Sequence, residues 1–403
     1  MILKSILLIM TFKYIKISMG RIINLKKRIV RFIKYNKKPK NIIVGKNYLN
    51  SINNYINLIQ QKKIENIEYF HNIIQPKISF IAPVYNKEKY LESLILSIQQ
   101  QLIEEFEIIF IDDYSIDKSV KIINKFSKFD RRIKLIKNKI NKGTLYSRVQ
   151  GLLQSRGEYI IFIDSDDLVL KEGLYNAYNY IKNKKLSMVQ FNTIFQRNDS
   201  LILSNRYYKY NIVIKQPILS YIFYYNEITN KGDELNTALW DKLIQRETAI
   251  KAINYIGEEY FYEKIKIEND VIILFSIFRM ADSYQYINET GYYYIRNHND
   301  SITNSWKIPQ ISSSVVHGIF VNVKFLFEKT ENTFLDKTFS IFKLQQSFKR
   351  YLRCFANAKN EFSFMEEVLK ILISSKYIQY SDKIIISNIY SSISLFYKSD
   401  FLN

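Results

Sequence analysis

Apolar and polar positions in residues 77–167 group into blocks that predict strands and helices in alternation. Apolar runs of strand length occur at residues 77–82, 107–111, 133–136 and 159–163. Between these runs, apolar residues recur at helical spacing at residues 90–98, 118–128 and 144–153. Strand–helix pairs whose strands are apolar almost throughout predict a mostly parallel sheet covered by helices on both faces, that is, an α/β fold.

Polar residues follow three of the predicted strands directly. They are Pro83–Asn86 after the first strand, Asp112-Asp113 after the second and Asp164–Asp167 after the fourth. The carboxyl ends of parallel strands meet at one edge of a sheet, and ligands bind outside that edge. Three carboxylates within four residues can hold a cation there, although acids in this position can also cap the helix that follows.

Composition excludes some classes of protein. With 403 residues, of which 47% are hydrophobic, the chain is long enough to bury a sizeable core in about two units. A single cysteine, Cys354, excludes an intrachain disulfide framework. The histidines His71, His298 and His317 are far apart in the sequence, which argues against a zinc site. Disulfide-rich and zinc-binding folds are therefore not expected.

The net charge of +21 is concentrated near the N-terminus. Residues 1–64 contain fifteen lysines and arginines and no acidic residue, so the remaining 339 residues contribute only +6. A strongly basic body would favour nucleic acid as a partner, whereas a basic arm on an ordinary body does not. No nucleic-acid partner is therefore expected.

The basic arm comprises residues 1–45. Ile22, Leu25 and Ile29 lie at helical spacing within it, with lysines and arginines between them. This pattern predicts a basic amphipathic helix suited to an anionic membrane surface, with a solvated leader as the alternative. The apolar stretch at residues 6–12 is too short to span a bilayer, and no other segment is long enough. The expected location is cytoplasmic or peripheral on a membrane.

Linked motifs in this chain resemble a known family. The motifs read ISFIAPVYNKEKYLESLILSIQQQ, EIIFIDDYSIDKS and NKGTLYSRVQGLLQSRGEYIIFIDSDD. Together they resemble the nucleotide-binding half of a family 2 glycosyltransferase of the GT-A fold, over residues 77–195. Fainter matches resemble acceptor-side elements of the same family. These matches are ALWDKLIQRE at 238–247, IEND at 267–270 and YYYIRNHNDSIT at 292–303.

The resemblance implies a GT-A-type, mostly parallel nucleotide-binding sheet flanked by helices, with a helical C-terminal region. The expected segments are the basic arm at 1–45, a helical lead-in at 46–75, the glycosyltransferase domain at 76–304 and the helical region at 305–403. Within the domain, residues 76–195 would form the nucleotide-sugar half and residues 196–304 the acceptor half.

The activity implied by the resemblance is inverting sugar transfer of the hexosyltransferase type. The donor would be a nucleotide-diphosphate sugar, with a UDP-sugar as the first expectation, and the acceptor a hydroxyl of a glycan, lipid or protein. A divalent cation, Mn²⁺ or Mg²⁺, would stabilise the charge on the leaving diphosphate. The alternatives are an inactive nucleotide-sugar-binding protein and a membrane-associated scaffold. Clustered acids at strand ends argue against the scaffold.

The resemblance assigns the DxD motif to the metal and the donor. Asp166 would bind the metal, and Asp164 would bind the metal's waters or the ribose. Hard cations take one or two carboxylates from the protein, with phosphates and waters completing the coordination shell. Asp167 remains as a cap for the following helix.

Further donor-binding residues are implied by the other motifs. The turn from Pro83 to Asn86 would cradle the nucleotide base, with Tyr85 lining its pocket or packing on the rim. Asp113 would accept a hydrogen bond from a uracil-like N–H. Arg148 would reach the diphosphate, with an ordinary surface arginine as the alternative.

Sugar transfer to a hydroxyl also needs a carboxylate that takes the acceptor's proton. The family places this acid in a Glu–Asp pair ahead of an apolar helix, and the matching stretch here is Ile267-Glu268-Asn269-Asp270. Aligned on the helix, Asp270 takes the base position and Asn269 replaces the glutamate. A one-residue slip would instead favour Glu268, and a helix N-cap is the structural alternative for Asp270.

Overall fold

The computed structural model describes residues 46–60, 75–197, 200–203, 213–216, 238–263, 265 and 269–295, and the positions 318, 321–322, 325–326 and 328–329. The basic arm and Glu268 lie outside these residues, so the membrane-surface prediction for the arm stays a prediction. Among the helices of the described part of the chain, none is both long and apolar enough to cross a membrane.

The chain forms two compact units. One comprises residues 38–226 and 231–305, and the other comprises residues 1–37, 227–230 and 306–403. The described positions of the second unit are helical, and Val321, Phe325 and Leu326 are buried there. The sheet and every residue of the candidate site described below belong to the first unit.

One sheet contains the ten strands that the described residues form. The strands are β1 (Ile78–Val84), β2 (Phe106–Asp112), β3 (Ile133–Lys137), β4 (Tyr159–Phe162), β5 (Leu168–Val169), β6 (Met188–Arg197), β7 (Ser200–Leu203), β8 (Ile214–Lys215), β9 (Lys242–Gln245) and β10 (Ser283–Ile295). Their order across the sheet is β3-β2-β1-β4-β9-β6-β10-β5, with β7 beside β6 and β8 beside β10.

The first half of the sheet is parallel, as the sequence pattern predicts. β1 pairs in parallel with β2 and β4, and β2 pairs in parallel with β3. β2 is buried at every position because helices cover both faces of the sheet. In the second half, β9 runs antiparallel to both β4 and β6, while β10 is parallel to β6. The predicted α/β architecture is confirmed, and its second half is mixed.

The described residues of this unit form the helices α1 (Lys46–Gln60), α2 (Leu91–Gln99), α3 (Ser119–Ser127), α4 (Thr144–Gln154), α5 (Lys171–Lys184), α6 (Arg246–Ile256), α7 (Glu258–Phe261) and α8 (Asn269–Met280). α4 packs closely on the parallel strands at Gly151, where a Cβ atom would collide with Ile81 and Ile111. Arg148 lies three residues before Gly151 on α4, so it shares the face of the helix that packs on the sheet.

The lead-in helix α1 also packs on the sheet. Its buried residues Ile56 and Ile59 contact a small apolar cluster that includes Leu168, Ile194 and Tyr293. Leu168 lies in β5, directly after the strand-end acids. α1 therefore supports the segment that carries the candidate metal ligands.

Candidate functional site

β1, β2 and β4 end at the same edge of the sheet. Their parallel register aligns Val84 with Asp112, and Ile81 with Phe162. The residues that follow these strands therefore lie along one edge, as predicted. They are Tyr85–Lys87, Asp113 and Asp164–Asp167.

Asn86 joins the turn after β1 to the loop after β2. Its backbone is in the left-handed region, with a φ of 52°, which asparagine tolerates better than most residues. Its N–H donates to Ser115 Oγ at 3.0 Å, and its Oδ1 accepts from the N–H of Ile116 at 2.9 Å. Tyr85 lies beside this junction with 48% of its surface exposed, at the rim of the edge.

Asp113 organises the loop between β3 and α4. Its Oδ1 accepts hydrogen bonds from Asn138 Nδ2 and from the N–H of Lys142, both at 2.8 Å. Its Oδ2 accepts from the N–H of Gly143, also at 2.8 Å. A carboxylate offers about four acceptor positions, so these bonds occupy most of them. Asp113 therefore shapes a loop at the place where the sequence predicts a bond to the base.

None of the acids in Asp164–Asp167 caps the following helix. α5 begins at Lys171, and its N-cap residue Leu170 makes no side-chain capping hydrogen bond. β5 lies between the acids and the helix and pairs with β10, which is a non-local contact that a sequence pattern does not reveal. The capping interpretation, including that of Asp167, is therefore wrong.

Asp167 is instead bound to β10. Its side chain is buried, and its two oxygens accept from the Tyr292 hydroxyl at 2.8 Å and from the N–H of Ile295 at 2.9 Å. The Tyr292 hydroxyl also accepts from the N–H of Asp164 at 3.1 Å, and its ring stacks on Trp240 with 4.9 Å between ring centroids. Tyr292 thus connects the strand-end acids to the second half of the sheet.

Arg148 connects the strand-end acids to the start of α8. It is only 3% exposed, so the alternative of an ordinary surface arginine is wrong. One terminal nitrogen donates to Asp164 Oδ1 at 2.8 Å, and the other donates to the side-chain oxygens of Asn269 and Asp270. Both terminal nitrogens therefore bind protein side chains, where the sequence predicts a contact with the diphosphate.

Lys87 is the cationic partner of Asp166. Its Nζ lies 2.5 Å from Asp166 Oδ2, and the two side chains are 21% and 19% exposed. The backbone N–H of Lys87 donates to Ser119 Oγ at 2.8 Å, which holds this part of the β1–α2 loop close to α3.

Burial, and to a lesser extent crowding, raises the pKa values of two of the strand-end carboxyl groups. Burial raises the pKa of Asp164 to about 6; the charge of Arg148 opposes this rise, and those of Asp270 and Asp166 add to it. Burial also raises the pKa of Asp167 well above its usual range, with Asp166 and Asp164 contributing. Clustered carboxylates with shifted pKa values are typical of functional sites. Here several carboxyl groups and their cationic partners, Lys87 and Arg148, meet at one edge of the sheet.

Sequence reasoning missed two members of the site, Lys87 and Tyr292. Lys87 directly follows Asn86, so its place in the first turn was a usable signal. Tyr292 lies in an aromatic stretch, and its partner Asp167 is 125 residues away. No local pattern could have identified that contact.

We expect Tyr292→Phe to lower the free energy of unfolding by about 1–3 kcal/mol, because Asp167 and the Asp164 N–H each lose a partner within the protein. Urea denaturation measures the change. Tyr293→Phe is the matched control, since this buried neighbour bonds neither acid. Equal losses in the two variants would contradict the role assigned to Tyr292.

Comparison with known proteins shows which family part of this chain resembles. Residues 79–246 match the model of Glycosyl transferase family 2. An uncharacterized glycosyltransferase of Haemophilus influenzae is 42% identical over 120 residues, which are 30% of this chain and 48% of that protein. The cholesterol galactosyltransferase of Borreliella burgdorferi is 29% identical over 246 residues, which are 59% of this chain and 63% of that protein. The chain thus spans between about half and two thirds of the length of these relatives.

A solved structure supports the fold. The crystal structure of residues 1–349 of S. aureus TarS in complex with UDP-GlcNAc has a TM-score of 0.51 and 19% sequence identity, covering 74% of this chain and 80% of that chain. At 19% identity, the similarity between the two structures shows a shared fold. It confirms the predicted GT-A fold. The motifs, the sheet and the family model agree that residues 79–246 are similar to glycosyl transferase family 2.

Proposed function

We propose that this domain transfers a sugar from a nucleotide-diphosphate sugar to an acceptor hydroxyl. The observation that carries the proposal is the guanidinium of Arg148, which binds both Asp164 of the strand-end acids and Asp270 of α8. A transferase must act on a leaving diphosphate and on an acceptor proton at opposite faces of one carbon. Carboxylates suited to these two tasks are held here by one side chain.

A UDP-sugar is the donor that we propose. The UDP-GlcNAc bound to TarS supports this choice, as does the match to a galactosyltransferase. We place the base at the ends of β1 and β2, where the half-exposed Tyr85 offers an aromatic face beside Pro83. Because Asp113 already accepts three hydrogen bonds from its loop, we assign it to shaping the base pocket.

Asp166, with Asp164 beside it, would hold Mn²⁺ or Mg²⁺. The donor set fits such a cation, because hard cations of this kind need only one or two carboxylates beside phosphate oxygens and waters. The described residues contain no group of three or more metal-binding side chains. The remaining ligands would therefore come from the diphosphate and water. When bound, the cation would supply charge stabilisation of the leaving diphosphate.

Asp270 is the residue that we assign as the base. In an inverting reaction the acceptor oxygen attacks from the face opposite the leaving group, so the base belongs to the acceptor side. Asp270 lies in the first turn of α8, on a different element from the strand-end acids, and its half-buried carboxylate is oriented by Arg148. Glu268 stays the alternative. The acceptor would be a hydroxyl of a glycan, lipid or protein.

Asp166→Ala tests the donor site. A ligand at 100 times its Kd stabilises the folded state by about 2.7 kcal/mol, which raises the midpoint of thermal unfolding. We expect the wild-type protein to show this shift with one or more UDP-sugars and Mn²⁺. Asp166→Ala should lose the Mn²⁺-dependent part of the shift and keep the midpoint of the unliganded protein within a few degrees.

Glu105→Ala is the matched control for this measurement. Glu105 precedes β2 at the opposite end of the strand, where its half-exposed carboxylate pairs with Lys77. It should leave the ligand-induced shift unchanged. Full Mn²⁺-dependent stabilisation of Asp166→Ala would contradict the metal assignment, and the absence of any shift in the wild type would contradict the proposed donor class.

A further inference from the structure

The ammonium group of Lys87 binds the carboxylate of Asp166, which the proposed cation also needs. Its Nζ contacts Asp166 Oδ2 at 2.5 Å in a pair that is about four-fifths buried on both sides. The backbone of this turn is held in place: the N–H of Asn86 bonds Ser115 in the loop after β2, and the N–H of Lys87 bonds Ser119. The hydrogen-bonded turn therefore holds the ammonium group in this position.

A lysine in this position can change partners. Its charge sits at the end of a flexible four-carbon stem, and its three donors bind phosphate oxygens as readily as carboxylates. A diphosphate that reached Asp166 through a shared cation would lie close to the carboxylate that Lys87 contacts. The distance from one partner to the other is then within the reach of a side-chain rotation.

We propose that Lys87 is an exchangeable counter-ion of the donor site: it neutralises Asp166 in the nucleotide-free protein and binds the donor's diphosphate when Asp166 binds a divalent cation. This inference rests on the proposed function and adds a residue to it. The ammonium competes with the free metal for Asp166 and cooperates with the metal once the nucleotide is present.

Removal of the ammonium should therefore have two effects of opposite sign. Mn²⁺ should bind the nucleotide-free protein more tightly, because its competitor is gone. UDP should bind more weakly in the presence of Mn²⁺, because the phosphates lose a positive charge. If Lys87 only stabilised the loop, its removal would weaken the binding of both Mn²⁺ and UDP. The direction of the change in Mn²⁺ affinity therefore distinguishes the two roles.

The test uses Lys87→Met in the full chain. Electron paramagnetic resonance counts free Mn²⁺ and gives its affinity without nucleotide, and calorimetry gives the UDP affinity with Mn²⁺. We expect Mn²⁺ binding about 10-fold tighter and UDP binding about 10-fold weaker, since one neighbouring charge shifts such equilibria by about one or more powers of ten. Lys121→Met, at an exposed position of α3, should change neither affinity.

Lys87→Gln repeats the measurement with a polar side chain where Lys87→Met does not fold. Mn²⁺ affinity that is unchanged or reduced in a folded Lys87 variant overturns the inference, while UDP binding by the wild type leaves the proposed function intact. A wild-type protein that binds no UDP with Mn²⁺ overturns both.

Discussion

Asp270→Asn is expected to reduce turnover at least ~100-fold, which is the usual contribution of a general base, while donor binding and the unfolding midpoint stay near those of the wild type. Asparagine cannot take the acceptor's proton. Its side-chain oxygen can still accept a hydrogen bond from Arg148, so the start of α8 keeps its contact with α4. Release of UDP in the presence of acceptor measures turnover.

Asp282→Asn is the control for this substitution. Asp282 is an exposed aspartate that follows the end of α8, so the same chemical change is made away from the site. Its turnover should match that of the wild type. Near-normal turnover of Asp270→Asn would show that Asp270 is a structural residue, and the search for the base would move to Glu268.

Arg148→Met should have the largest effect on stability. The side chain is buried, and its removal leaves Asp164 and Asp270 facing each other without the cation between them. Breaking a fully buried pair costs about 3–5 kcal/mol, but solvent screens these two half-buried carboxylates, so we expect a loss of about 2–3 kcal/mol. Turnover should also fall because Asp270 loses its orientation.

Two further variants separate the effect of losing the geometry of Arg148 from the effect of losing a positive charge or any arginine. Arg148→Lys restores a charge without the two-sided geometry, so stability should recover in part while turnover stays low. Arg156→Met removes an arginine whose half-exposed side chain lies 3.5 Å from Glu107, and it should cost less than about 1 kcal/mol. If Arg148→Met lowers the free energy of unfolding by as little as Arg156→Met does, the structural role assigned to Arg148 is contradicted.

The parallel half of the sheet was predictable because its strands are local apolar runs. β2 and β3 begin within a residue of the predicted positions, and α3 and α4 lie within the helical stretches or one residue beyond. β9 was not predictable as a central strand. It begins with Lys242, which is fully buried through its pairing with Asp241 and would suggest a surface strand from sequence alone.

Most residues of the candidate site were predictable from the sequence, with Lys87 and Tyr292 as exceptions, but their contacts were not. The motifs placed Asp113, Asp164 and Asp166 on the same edge of the sheet, which the strand register confirms. The bond from Arg148 to Asp270 spans 122 residues. Such pairings depend on how α8 packs, which periodicity does not encode.

A crystal structure of the protein with UDP and Mn²⁺ would show whether this edge of the sheet is the donor site. We expect the diphosphate beside Asp166 and Asp164, with the base against the turn of Tyr85 and Asn86, and Asp270 on the open side where an acceptor would enter. UDP bound at another surface of the chain, without contact to either strand-end acid or their metal, would contradict the assignment of this edge as the donor site.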